Sequence, residues 1–143
     1  MKIINRDLLT IESGIIAHQV NCQGKMGAGL ALKIRKKYPE VYEYYRHNIP
    51  KRGDVQIIQI SPKLFVANLA AQQDYGRVKG KRYTNYGAFR NCLIKIRAIS
   101  SDRNLIPYLP YKIGCGLAGG DWSMISGFIE RHLPDAVICK LES

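Results

Sequence analysis

Two stretches of this chain, "HQVNCQGKMGAGLALKIRKKYPE" (18–40) and "IGCGLAGGDW" (113–122), follow one plan. A short apolar run enters a glycine-rich turn, and a helix-forming pattern leaves it. A strand that turns into a helix is the repeating unit of α/β folds. The rest of the chain keeps that alternation. Residues 2–5 and 14–20 read as strands. Residues 28–37 are rich in helix formers and put Leu30, Ile34 and Lys37 on one stripe. Pro39 permits a fresh helical start that runs to Asn48. The run 55–60 alternates less than it runs apolar and reads as a buried strand. "SPK" then turns the chain into a second strand, 64–69, making a hairpin. A long polar loop spans 70–82. Thr84 is a candidate cap for a helix over 85–100, whose apolar face is Phe89, Leu93, Ile96 and Ile99. A strand at 105–109, a helix at 121–132 and a strand at 136–141 complete the chain. The alternation predicts a three-layer α/β/α fold with a mixed, largely parallel central sheet, the hairpin supplying the antiparallel pair. No repeat, low-complexity tract or linker divides the 143 residues, so 1–143 reads as one domain.

Composition narrows the function classes. The net charge of +11, from 22 basic and 11 acidic residues, favours an anionic partner. Lys33, Arg35, Lys36 and Lys37 decorate one helix and read as a solvated face. Arg77, Lys79, Lys81 and Arg82 share a loop with Tyr75 and Tyr83, the interleaving of cations and aromatics seen on nucleic-acid surfaces. Cys22, Cys92, Cys115 and Cys139 lack the spacing of a zinc site and are expected reduced and structural. No acidic cluster suggests a metal, and neither a metal nor a cofactor is expected. No apolar run approaches membrane-spanning length, and Lys2, Arg6 and Asp7 interrupt any signal-peptide core. A cytoplasmic monomer is expected, in the host cytoplasm if the chain is viral.

A glycine turn that opens a helix aims unpaired backbone N–H groups, and the positive end of the helix dipole, at whatever lies in front of it. The first turn, GKMGAG, is neither a Walker A loop nor a GxGxxG fingerprint. Two such turns at the carboxyl ends of strands suggest a clamp around a diphosphate.

"GIIAHQVNCQGKMGAGLALKIRKKYP" together with "IGCGLAGGDW" resembles the macrodomain, the ADP-ribose-binding fold, over nearly the whole chain, and "NRDLL" resembles that family's adenine-reading strand end. The segment "VANLAAQQDYGRVKGKRYTNYGAFRNCL" is similar to the phage-type members that process ADP-ribose-1''-phosphate. The resemblance implies roles for particular residues. Asp7 would accept from the adenine amino group beside the Leu8 backbone, and Asn21 would hold the distal ribose. Gly27, Ala28 and Gly29 would wrap one side of the diphosphate. Gly114, Cys115, Gly116, Leu117, Ala118 and Gly119 would form the second phosphate loop. From the residues alone, Asp7 reads as a turn former and Asn21 as a loop-capping amide. The branch that removes ADP-ribose from glutamate is expected to carry a lysine after the hairpin and an Asp after "IGCGL". Ala70, Ala71, Gln72 and Ala118 stand there instead.

Hydrolysis of a phosphomonoester needs an anion cradle, a positioned water and a proton donor. The candidates are Asp121, which could equally cap the last helix, His18, which could equally be a core histidine, and Asn68, which could orient the water. Gln72, Gln73, Asp74 and Tyr75 lie in a loop able to close over the ribose. The expected activity is hydrolysis of ADP-ribose-1''-phosphate to ADP-ribose and phosphate. The alternatives are a non-catalytic ADP-ribose-binding module and a hydrolase that removes ADP-ribose from protein or nucleic acid.

Overall fold

The structure, a computed structural model, describes residues 1–141. Six strands form one sheet: β1 (Lys2–Asn5), β2 (Gly14–Gln19), β3 (Val55–Gln59), β4 (Leu64–Leu69), β5 (Pro107–Pro110) and β6 (Val137–Lys140). Their spatial order is β1-β6-β5-β2-β4-β3. Every neighbouring pair is parallel except β3 with β4. Four helices cover the sheet: α1 (Gly29–Lys37), α2 (Pro39–His47), α3 (Tyr86–Arg103) and α4 (Trp122–His132).

Alternation along β2 divides the core into two layers. Ile15 and Ala17 join Phe89, Leu93, Ile96, Ile125 and Ile129 of α3 and α4. Ile16 and Val20 join Ile34, Val41 and Tyr45 of α1 and α2 on the other face. β2 and β4 are buried on both faces, as apolar runs require in a covered sheet. β3 corrects an expectation. It lies at the sheet's edge and is half-buried, because nothing packs beyond it.

The register of β5 positions the site. Pro107 and Pro110 have no N–H to donate, and β5 pairs with β2 only at Ile15↔Pro107 and Ile16↔Tyr108. The last three residues of β2 pair with β4 alone. The two strands part at their carboxyl ends, where the connections leave for opposite faces of the sheet. That is the switch point at which open α/β sheets hold ligands.

Helix α3 begins one residue later than expected, and Asn85, not Thr84, is its cap: the Asn85 side chain accepts from the Ala88 N–H at 2.8 Å. Thr84 is instead buried and turned toward the second glycine loop. The basic side chains of α1 are exposed as expected. Arg35 lies 3.8 Å over the Tyr42 ring, and Lys37 donates to the Leu9 carbonyl.

Candidate functional site

A cavity of about 820 Å³ opens between β2 and β5, within the range of small-molecule sites. One wall is the 27–31 segment, the glycine turn with the first turn of α1. The other is 110–118. Gln72, Tyr75, Gly76 and Arg77 form the rim. Lys25, Arg77 and Lys112 contribute positive charge, and among the described residues no carboxylate lines the cavity. Lys112 adopts φ 58, a conformation uncommon outside glycine and often stored at functional sites.

Backbone donors add to that charge. Ala28 caps α1 without a side-chain hydrogen bond. Among the described residues, the N–H groups from Gly27 to Ala31 have no protein acceptor, and neither do those of Gly114, Gly116, Leu117 and Ala118. Two rows of free donors therefore face one cavity, an arrangement suited to an anion held by main chain. The second row owes nothing to a helix end, contrary to the reading from sequence. α4 starts at Trp122 and is capped by Asp121, whose carboxylate accepts from Ser123 N at 2.8 Å.

The glycines of the two loops are not all required for the same reason. At Gly114 (φ 73) a Cβ would stand 2.8 Å from Gln19 Oε1, and at Gly119 (φ 73) it would stand 2.6 Å from the Lys81 carbonyl oxygen. The fold itself demands those two. Gly27 and Gly116 differ. Neither has a positive φ, and a Cβ on either meets nothing within 4 Å. Both line the cavity.

His18 and Gln19 form the floor. His18 is buried, and its Nε2 lies 2.6 Å from Asn68 Oδ1. A chain of bonds assigns the proton. Gln56 Nε2 donates to the Asn48 carbonyl, which can only accept. Gln56 Oε1 then accepts from Asn68 Nδ2 at 3.1 Å, which leaves Asn68 Oδ1 as acceptor for His18 Nε2–H. His18 is thus the Nε2–H tautomer, and its unprotonated Nδ1 has no partner. Burial lowers its pKa to about 4, against the Asn68 bond that raises it, so the ring is neutral at neutral pH. It suits an acceptor and not an acid. Gln19 Nε2 donates to Gln72 Oε1 and to Thr84 Oγ1, both at 2.8 Å, and Thr84 Oγ1 donates to the Gly114 carbonyl at 2.8 Å. Three segments are clasped at this point. Among the described residues, Gln19 Oε1 is the other buried acceptor left without a partner.

The expected site residues divide by position. Asn21, Gly27, Ala28, Gly29, Gly114, Gly116, Leu117, Ala118 and His18 line the cavity. Asn21 also ties the first loop: its Oδ1 accepts from Gln23 N at 3.0 Å, its Nδ2 donates to the Lys25 carbonyl, and the Tyr45 hydroxyl lies 2.8 Å from Oδ1. Asn68 stands behind His18. Cys115 and Gly119 belong to the second loop but do not line the cavity. Burial raises the Cys115 thiol's pKa, as it does for all four free cysteines. Asp7 and Leu8 sit beyond the carboxyl end of β1, the same end of the sheet. The Asp7 carboxylate accepts from Leu9 N at 2.9 Å and caps a single 3-10 turn. Asp121 is exposed and off the cavity, and its carboxylate is engaged by Ser123 N and Oγ. Asp121 thus caps α4 and stands off the cavity. Among residues the sequence reading did not assign to the ligand, Lys25, Lys112 and Gln19 line the cavity. Lys25 and Lys112 each sit in or beside a glycine turn, which is a usable signal. Gln19 has none, because its role depends on a partner 65 residues away.

No protein-family model matches the chain. Among solved structures, a protein from Bacteroides thetaiotaomicron is 31% identical, covering 98% of this chain and 97% of its own, with a TM-score of 0.86. A macrodomain protein from Streptomyces coelicolor is 25% identical and covers 99% of both chains, with a TM-score of 0.80. Among curated proteins, a 17.5 kDa protein of Enterobacteria phage T4 is 26% identical over 144 residues, covering 92% of this chain and 89% of its own. The DNA ADP-ribosyl glycohydrolase of Mycobacterium tuberculosis is 27% identical over 145 residues, and the match spans 40% of its length. The parallel sheet, the split between β2 and β5 with a glycine loop on each side, and these likenesses along the whole chain lead to one conclusion: the protein belongs to the macrodomain family.

Proposed function

We propose that the cleft binds ADP-ribose and that the chain hydrolytically removes the group carried at the 1'' position of the distal ribose. The observation that carries this reading is the pair Gly27 and Gly116. Neither backbone conformation nor packing calls for glycine at either position, yet both line the cavity from opposite walls. A group that approaches the main chain closely from each side accounts for both. The free N–H groups beside them and the three cations, with no opposing carboxylate among the described residues, suit a diphosphate. Asn21 keeps one amide hydrogen for a ribose hydroxyl, and His18 supplies a neutral acceptor at the floor, oriented by Asn68. Asp121 takes no part.

In the first form of the reading the substituent is phosphate: ADP-ribose-1''-phosphate and water give ADP-ribose and inorganic phosphate. The second form takes a nucleobase of DNA as the substituent. It is supported by the mycobacterial relative's name and by the basic cleft. Incubation with each substrate, with phosphate and free ADP-ribose quantified separately, distinguishes the two. Calorimetry should show ADP-ribose binding that Gly27→Ala weakens. Absence of ADP-ribose binding sinks the whole reading, and binding without turnover of either substrate leaves a binding module.

A further inference from the structure

We infer that the 75–83 loop is a contact surface for single-stranded nucleic acid, set so that a strand passes the mouth of the cleft. Arg77, Lys79, Lys81 and Arg82 are all exposed, and none takes part in an ion pair among the described residues. The acid at the loop's base, Asp74, accepts from Gln23 Nε2 at 3.0 Å. The charge is continuous with the cleft, since Tyr75, Gly76 and Arg77 line the cavity while 79–82 lie outside it.

The loop has a built shape. An antiparallel bridge, Gln72↔Thr84, closes its base. Tyr83 N and Thr84 N both donate to the Ala118 carbonyl, at 2.7 and 3.1 Å, which fastens the loop to the second glycine wall. A turn forms the tip, with Lys81 N donating to the Val78 carbonyl at 3.1 Å. Tyr83 stands inside as a post. Its hydroxyl accepts from Val78 N at 3.3 Å, and the Lys81 ammonium lies 4.7 Å over its ring. The Arg82 guanidinium lies 3.9 Å over Tyr86. Cations held this way lose little freedom on binding. Tyr75, by contrast, is 54% exposed at the rim.

An open aromatic face beside unpaired cations matches a chain that alternates bases and phosphates. An acidic peptide would use the cations and leave the ring idle, and a duplex would keep its bases stacked away from it. This surface deepens the proposed function, because it supplies the polymer that would carry the ADP-ribose; it rests on that reading only for this role.

The test is fluorescence anisotropy of a short labelled single-stranded oligothymidine titrated with the full chain. Four phosphate contacts predict a salt slope near −3, so affinity should fall about 50-fold between about 50 and 200 mM salt. The triple variant Lys79→Ala, Lys81→Ala, Arg82→Ala should bind about tenfold more weakly or worse, with the slope reduced by about 2. Its affinity for ADP-ribose by calorimetry should be unchanged. Tyr75→Ala should cost about tenfold in oligonucleotide affinity. The inference is overturned if the triple variant binds the oligonucleotide like the parent. It is also overturned if polyglutamate or phosphatidylserine vesicles displace the oligonucleotide at equal charge concentration. If ADP-ribose fails to bind while oligonucleotide binding still depends on the loop, the reading of the cleft falls and this surface stands.

Discussion

The two glycine-rich walls resemble each other in sequence and differ in how they are held. The first ends in a helix with no side-chain cap, so the end of α1 faces the cavity. The second is tied at several points. Thr84 Oγ1 donates to the Gly114 carbonyl, Tyr83 N and Thr84 N donate to the Ala118 carbonyl, and Gly119 abuts Lys81. Its helix, α4, is capped by Asp121 before it reaches the cavity. The lesson is that equal composition hides two designs. One wall offers a helix terminus, and the other offers a braced loop with free N–H groups.

The largest expected effect separates the glycines of the second wall. Gly119→Ala forces a left-handed residue against the Lys81 carbonyl and should destabilise the fold by about 3 kcal/mol in urea unfolding. A stability within error of the parent would mean the bracing is not real.

The floor between the walls is probed by pH. His18 has a folded-state pKa of about 4, below its ordinary 6.5. The unfolded chain therefore binds the extra proton first. The stability that comes from the neutral ring is complete above pH 6.5, falls as pH drops toward 4, and is lost below that. At about 1.4 kcal/mol per pKa unit, the parent should lose about 3 kcal/mol more than His18→Gln between pH 7 and pH 4. Parallel pH profiles for the two proteins would refute the assignment.

Gly27→Ala and Gly116→Ala sharpen the contrast from the other side. Each should leave stability within about 0.5 kcal/mol, since the Cβ meets no protein atom. Each should weaken ADP-ribose binding at least tenfold, or about 1.4 kcal/mol, by calorimetry. A loss of stability without a loss of affinity would make these glycines structural like Gly119. The smallest effect is at Asp121. Asp121→Asn removes the charge from an exposed cap and should lower the melting temperature slightly. ADP-ribose affinity and turnover should stay as in the parent; a collapse of turnover would return Asp121 to the chemistry.

Much of the architecture was legible because it rests on local patterns. Apolar runs of strand length and the Phe89, Leu93, Ile96 stripe mark β2, β4 and α3 in both readings. The same reasoning located β3 but overstated its burial, since an apolar run does not say whether a neighbour covers it. It misassigned Thr84, because a hydroxyl before a helix looks like a cap whether it faces the helix or a carbonyl 30 residues away. Asp121 illustrates the converse. Cap and catalyst are the same residue type at the same spacing, and only its position off the cavity separates them.

By itself the sequence determined the order of strands and helices, the two glycine turns at their junctions and the excess of positive charge. These follow from residue type and spacing, which act over a few neighbours. The tertiary structure decided which strands part to open the cleft, which glycines are free to meet a ligand and which tautomer His18 carries. Each of those depends on atoms brought together from distant parts of the chain: the prolines of β5 against β2, Lys81 against Gly119, and Asn48 through Gln56 and Asn68 to His18.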